Sequence, residues 1–112
     1  MKIQTAKDPN NLTELEQKHV PMIEVDENKG TLTVKVKVGE VKHVMTNEHY
    51  IEWIKLYIDG SFIKKKDLTL GDGPEVEFQI QSPGVVILRV LESCNLHGVW
   101  ENKRDVGWKE EL

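Results

Sequence analysis

At 112 residues, with 38% hydrophobic and 30% charged side chains, the chain has room for one folded domain over residues 1–112 and lacks the composition of a disordered polymer. A formal charge of −4 argues against nucleic-acid binding by phosphate neutralisation, which needs clustered surplus Lys and Arg. No apolar run approaches the roughly 20 residues of a membrane helix, and Met1-Lys2-Ile3-Gln4-Thr5 has no apolar leader core, so no membrane partner and a cytoplasmic location are expected.

In chain order, Asp8-Pro9-Asn10-Asn11 is turn chemistry, and Thr13-Glu14-Leu15-Glu16 fits a capping box that predicts a helical turn or two over Leu12 to Lys18. That segment delivers His19 into a short strand, Val20 to Val25, closed by an Asn28-Lys29-Gly30 hairpin turn. From Thr31 to Val38, Leu32, Val34, Val36 and Val38 alternate with Thr and Lys, the period of a half-buried strand. Glu40 to Glu48 reads as a polar connection, Tyr50 to Ile58 as a strand, and Asp59-Gly60 as a turn into a second arm at Phe62-Ile63. Lys64-Lys65-Lys66, the only basic run, lies among Asp59, Asp67 and Asp72 and reads as a solvated turn or hairpin flank. Gly71-Asp72-Gly73-Pro74 and Ser82-Pro83-Gly84 are turns around a strand at Val76 to Ile80. Val85 to Leu91 is nearly all apolar and predicts a central strand buried on both faces. Short strands at this spacing imply an all-β fold, an immunoglobulin-like antiparallel β-sandwich of about seven strands with a short N-terminal helical turn.

The chemistry is concentrated in predicted loops and strand ends. The chain has four histidines, His19, His43, His49 and His97, and a single cysteine, Cys94, which cannot form an internal disulfide. Cys94-x-x-His97 can bring a thiolate and an imidazole to one metal from a single turn, Gly98 permits a sharp backbone turn, and His43 and His49 offer a second pair from one loop. Joint metal binding accounts for all five residues. A structural zinc site is satisfied by four ligands, so a fifth is surplus. A blue-copper site is the stronger rival on a β-sandwich, but it usually wants a methionine after its last histidine, and Met1, Met22 and Met45 all lie upstream. Four imidazoles and one thiolate suit a square-pyramidal centre with an open sixth position, where an electron-rich ferrous ion reduces a small oxygen anion.

The segments Lys18-His19-Val20-Pro21-Met22-Ile23-Glu24, Val38-Gly39-Glu40-Val41-Lys42-His43, Met45 to Ile54 and Cys94-Asn95-Leu96-His97-Gly98-Val99-Trp100-Glu101 resemble superoxide reductases, the neelaredoxin and desulfoferrodoxin group. The resemblance implies one non-haem iron per chain, cycling between Fe2+ and Fe3+, with His19, His43, His49, His97 and axial Cys94 as ligands. It implies superoxide as substrate, hydrogen peroxide as product, rubredoxin or a similar one-electron donor, and a homotetramer of the one-iron neelaredoxin type.

Two departures from the family pattern bear on the site. Where relatives usually carry Glu-Lys-His, this chain has Gln17-Lys18-His19, so the glutamate that closes the sixth position of ferric iron is replaced by a weakly ligating amide, with Glu16 one residue away as a substitute. Lys18, by the resemblance, is the catalytic lysine that attracts superoxide and orients a proton-donating water. Relatives often flank the second histidine with prolines. Lys42-His43-Val44 has none, which predicts a less rigid loop and leaves Lys42 as a second steering candidate. Asn95 is a candidate for arranging backbone amides around the Cys94 sulfur, and Trp53, Trp100 and Trp108 read as core or interface packing.

Overall fold

The structure is a computed structural model and describes residues 2–107. Eight strands and one short helix follow in the order β1 (Ile3–Gln4), α1 (Glu14–His19), β2 (Pro21–Asn28), β3 (Thr31–Val38), β4 (Ile51–Ile58), β5 (Ser61–Asp67), β6 (Glu75–Gln81), β7 (Val86–Cys94) and β8 (Gly98–Val106). They form two sheets, β1-β8-β7-β4-β5 and β2-β3-β6. Setting aside the two-residue β1, this is an all-antiparallel division of three strands over four, with the chain crossing between sheets after β3, β5 and β6, as expected for an immunoglobulin-like sandwich.

The alternation read at Thr31–Val38 determines the core. Leu32, Val34, Val36 and Val38 are buried on one face of β3 and meet Ile54 and Leu56 of β4, Phe78 of β6, and Leu88 and Val90 of β7. α1 begins where the capping box predicts: the Thr13 hydroxyl accepts the Glu16 N–H, and the Glu16 carboxylate accepts the Thr13 N–H at 2.9 Å. Glu16 is buried at 5% exposure, and its second oxygen accepts the Lys7 N–H at 3.2 Å. Its carboxylate therefore caps the helix and ties down the N-terminal segment, and it is not free to substitute for the missing glutamate.

One expectation needs correction, and two strands lie beyond what local sequence pattern signals. Val85 to Leu91 is not buried on both faces throughout: Val85, just before β7, and Ile87 within it are 56% and 44% exposed, because the outer face of the larger sheet carries no second layer there, while Leu91, nearer the far end, is buried. β1 and β8 were not anticipated, although β8 is nine residues long. Lys64-Lys65-Lys66 is a solvated hairpin flank, as read from the sequence: it lies on β5, the exposed edge arm of the β4–β5 hairpin, where lysines discourage pairing with another chain. Trp100 is core, Trp53 lies half-buried on the outer face with Lys55 Nζ 4.3 Å from its ring centre, and Trp108 lies outside the described residues.

Topology gathers the C-terminal ends of β3 and β7 and the starts of β2, β4 and β8 at one end of the sandwich. Pro21 pairs with Val38, Ile51 with Cys94, and Cys94 with Gly98. The helix end, the β3–β4 loop and the β7–β8 turn all open there, and these three segments carry every histidine and the cysteine.

Candidate metal centre

Each candidate ligand has its own mooring. His19 is the last residue of α1 and 1% exposed, with Nδ1 2.8 Å from the Leu15 carbonyl. His43, 4% exposed, places Nδ1 2.6 Å from the Val44 carbonyl. A carbonyl can only accept, so in both rings Nδ1 carries the proton and Nε2 presents a bare lone pair. The Lys42-His43-Val44 loop, expected to be loose, is pinned: Val41 N–H donates to the Gln17 carbonyl at 2.9 Å and His43 N–H to the Val38 carbonyl at 3.0 Å. Gly39 permits this approach, since a Cβ there would lie 2.4 Å from the Gln17 carbonyl oxygen.

The four rings form a square. Neighbouring centroids are 4.5 Å apart for His43–His49, 5.2 Å for His49–His97, 4.9 Å for His97–His19 and 4.9 Å for His19–His43, with interplanar angles from 70° to 81°. His19 and His49, at opposite corners, are separated by 6.2 Å and close to parallel. One ligand atom each from His19, His43, His49 and Cys94 falls within 4.8 Å of all the others. His97 is exposed and stands at the rim: its ring completes the square, but its nitrogens are not in that tight group of four.

The chemistry of this set fits a metal ion. His19 Nε2 is buried with no hydrogen-bond partner, which is costly unless something accepts its lone pair. His43 Nε2 lies 3.1 Å from His49 Nε2 and 3.5 Å from Cys94 Sγ, so ring nitrogens and sulfur converge with no carboxylate among them. Burial is the largest influence on three rings: it pushes His43 down to about 4 and lowers His19 and His49 below the usual imidazole range. Burial also raises the Cys94 thiol, against the opposing pull of the Leu96 and His97 backbone amides. At neutral pH the three rings are therefore neutral and the thiol protonated. Metal uptake at pH 7 should release about one proton per ion, from Cys94, and none from His19, His43 or His49; pH-indicator titration in weak buffer measures it. Because that proton comes from Cys94, whose thiol burial raises, metal affinity should fall steadily as the pH is lowered.

Around the square lie residues that the sequence did not reveal in this role. Trp100 stacks on His19, with centroids 5.4 Å apart, and its indole N–H donates to the His97 carbonyl at 3.1 Å. Gln4, brought alongside by β1, donates to the same carbonyl at 2.7 Å. The amides that face the Cys94 sulfur belong to Leu96 and His97, while the Asn95 side chain is directed to the β3–β4 loop. Met45 accepts the Ile51 N–H at its sulfur, at 3.4 Å. Lys18 is exposed, with Nζ 3.8 Å from Glu14, and its positive charge helps lower His19 and His49. Gln17 donates its amide to the Leu12 carbonyl at 3.2 Å, and Lys42 is exposed on the β3–β4 loop.

The desulfoferrodoxin family profile matches residues 11–103. The chain is 43% identical over 84 residues to a desulfoferrodoxin homolog from Methanothermobacter thermautotrophicus, an alignment covering 75% of this chain and 62% of that relative's length. It is 38% identical over 100 residues to a superoxide reductase from Pyrococcus abyssi, covering 78% of this chain and 85% of that one. The reduced form of the Archaeoglobus fulgidus superoxide reductase (neelaredoxin) superposes with a TM-score of 0.78 at 28% identity, over 95% of this chain and 98% of that one. A profile match across most of the length, with relatives this similar behind it, means that the chain belongs to the desulfoferrodoxin family.

Proposed function

We propose that the chain is a superoxide reductase, a single domain over residues 1–112 in which the imidazoles of His19, His43, His49 and His97 and the thiolate of Cys94 would hold one non-haem iron. The observation that carries this reading is the square of rings with a sulfur beside it and a buried, unpartnered nitrogen facing inward. When bound, the iron supplies one electron to superoxide, which takes up two protons and leaves as hydrogen peroxide; rubredoxin or a similar donor returns the electron.

The protein's own residues bind the ion, tune it and guide the anion. The Nδ1–carbonyl contacts fix His19 and His43 in the tautomer that ligates through Nε2. The Leu96 and His97 amides at the sulfur temper its charge and with it the iron's reduction potential. Lys18 stands at the edge of the cluster, exposed and cationic, where it raises the local concentration of an approaching anion and holds a proton-donating water; Lys42 adds a more distant positive charge. The Gln17 and Glu16 side chains are both engaged within the helix start, so neither is counted among the groups that would hold the ion.

Homotetrameric assembly and a cytoplasmic location belong to the same proposal, on family resemblance; no helix among the described residues is long and apolar enough to cross a membrane. Mixing the iron-loaded, reduced protein with pulsed superoxide tests the activity. The expected result is about one peroxide per iron oxidised without dioxygen, and dioxygen release would identify dismutation instead. Lys18→Ala should lower the second-order rate by about tenfold and flatten its ionic-strength dependence. An unchanged rate at all salt concentrations removes Lys18 from the reaction.

A further inference from the structure

We propose that Asn95 is a positioning residue for the metal centre, its side-chain amide clamping the backbone on both sides of His49 and locking that imidazole to the strand end that carries Cys94. The inference rests on the reading of His49 and Cys94 as ligands of one ion.

Of the rings in the tight cluster, His49 is the least protected. His19 and His43 are buried and each is oriented by a backbone carbonyl, whereas His49 is half-buried and, among the described residues, no backbone carbonyl holds its ring. Besides the His43 Nε2 that it meets at 3.1 Å, its placement comes from its own backbone. Locally that backbone is a small turn: Thr46 N–H donates to the His49 carbonyl at 2.9 Å, and His49 N–H donates to the Thr46 hydroxyl at 3.2 Å. These bonds shape the turn without fixing where it sits on the sandwich.

Asn95 fixes it. The residue directly after Cys94 accepts the Tyr50 N–H at its Oδ1 at 2.9 Å and donates from its Nδ2 to the Glu48 carbonyl at 3.1 Å. Its own N–H donates to the Tyr50 carbonyl at 3.1 Å. Both residues flanking His49 are thus held by one side chain, and the β4–β7 ladder that ends at Ile51–Cys94 is extended by one step to reach the ligand. Only a short side chain with a donor and an acceptor on one carbon can make both bonds here; aspartate keeps the acceptor and loses the donor. The consequence is a fixed distance between the His49 imidazole and the Cys94 sulfur, set before any ion arrives.

The test uses the full chain and cobalt(II) alone, titrated without oxygen against a chelator of known affinity, with His49→Ala alongside. Asn95→Ala should bind cobalt about 10–100-fold more weakly, shift the sulfur-to-cobalt absorption, and lose hydrogen-exchange protection at the Tyr50 amide in the metal-free protein. Asn95→Asp should fall between it and the parent, and it carries the same test if the alanine variant does not fold. Parent-like affinity and spectrum in the Asn95 variants, with weakened binding in His49→Ala, overturn the clamp and leave the metal centre intact. Parent-like binding in His49→Ala as well overturns the metal reading and the clamp with it.

Discussion

Serine in place of Cys94 should abolish the sulfur-to-iron absorption of the oxidised protein and lower the rate of superoxide reduction by at least about 100-fold. Sγ lies at the end of the hydrophobic core, 2% exposed, and is nearly isosteric with a hydroxyl, so the fold should survive. Burying an alcohol without a good partner costs about 1–3 kcal/mol, less than a typical domain's stability. The electronics do not survive. A thiol gives up its proton to a metal near neutral pH, whereas an alcohol does not, so the serine variant would withdraw the anionic donor and leave neutral imidazoles alone. Visible spectroscopy and stopped mixing measure the two effects, and a band unchanged in energy would mean that the sulfur is not bound.

Glu92→Gln should raise stability at pH 8 by about 2–4 kcal/mol and remove a pH dependence that the parent shows. Glu92 lies in β7 between Ile54 of β4 and Trp100 of β8, is 0% exposed, and neither carboxylate oxygen has a partner. Burial, with the Glu52 charge adding to it, pushes its carboxyl up to about 9 from an ordinary 4.5. The folded state therefore retains a proton that the unfolded chain has lost, and the parent loses stability as pH rises from 4.5 through 9. Below about pH 6.5 His19, His43 and His49 act in the opposite sense: their lowered values mean that the unfolded chain binds more protons there, so acid destabilises. Between pH 7 and 8.5 the carboxyl dominates, and denaturant titrations there should fall by about 1 kcal/mol per pH unit in the parent and stay level in the variant. Equal slopes would show that Glu92 does not hold the proton.

Local patterns in the sequence were reliable where one face of a strand alone decides burial. Thr31–Val38 matches β3 at both ends, and the capping box marks the start of α1. β8 escaped because Val99 and Trp100 are followed by Glu101, Asn102, Lys103, Arg104 and Asp105, a run whose strand character comes from pairing with β7 and not from its own alternation. β1 is two residues whose pairing partner lies at Val99 and Trp100, a contact no local window contains. For the candidate centre the residue types were legible, since histidines and a lone cysteine are few and their spacings restrictive. Their supports were not. Gln4, Asn95 and Trp100 act through hydrogen bonds or stacking to residues that in most cases lie far along the chain, and Glu16 looks available as a ligand until both its oxygens are found satisfied by backbone N–H groups.

The candidate ligands reach the cluster from opposite halves of the sandwich. His19 leads into β2 of the smaller sheet, Cys94 and His97 bracket the β7–β8 turn of the larger one, and His43 and His49 sit on the span that crosses between them. An ion seated there would rivet the two sheets together at that rim, where the packing passes from Val38 and Ile51 to polar rings. Stripping it would remove that cross-link from this rim alone, since the packing of Val86, Leu88 and Val106 at the far end of the core does not depend on it.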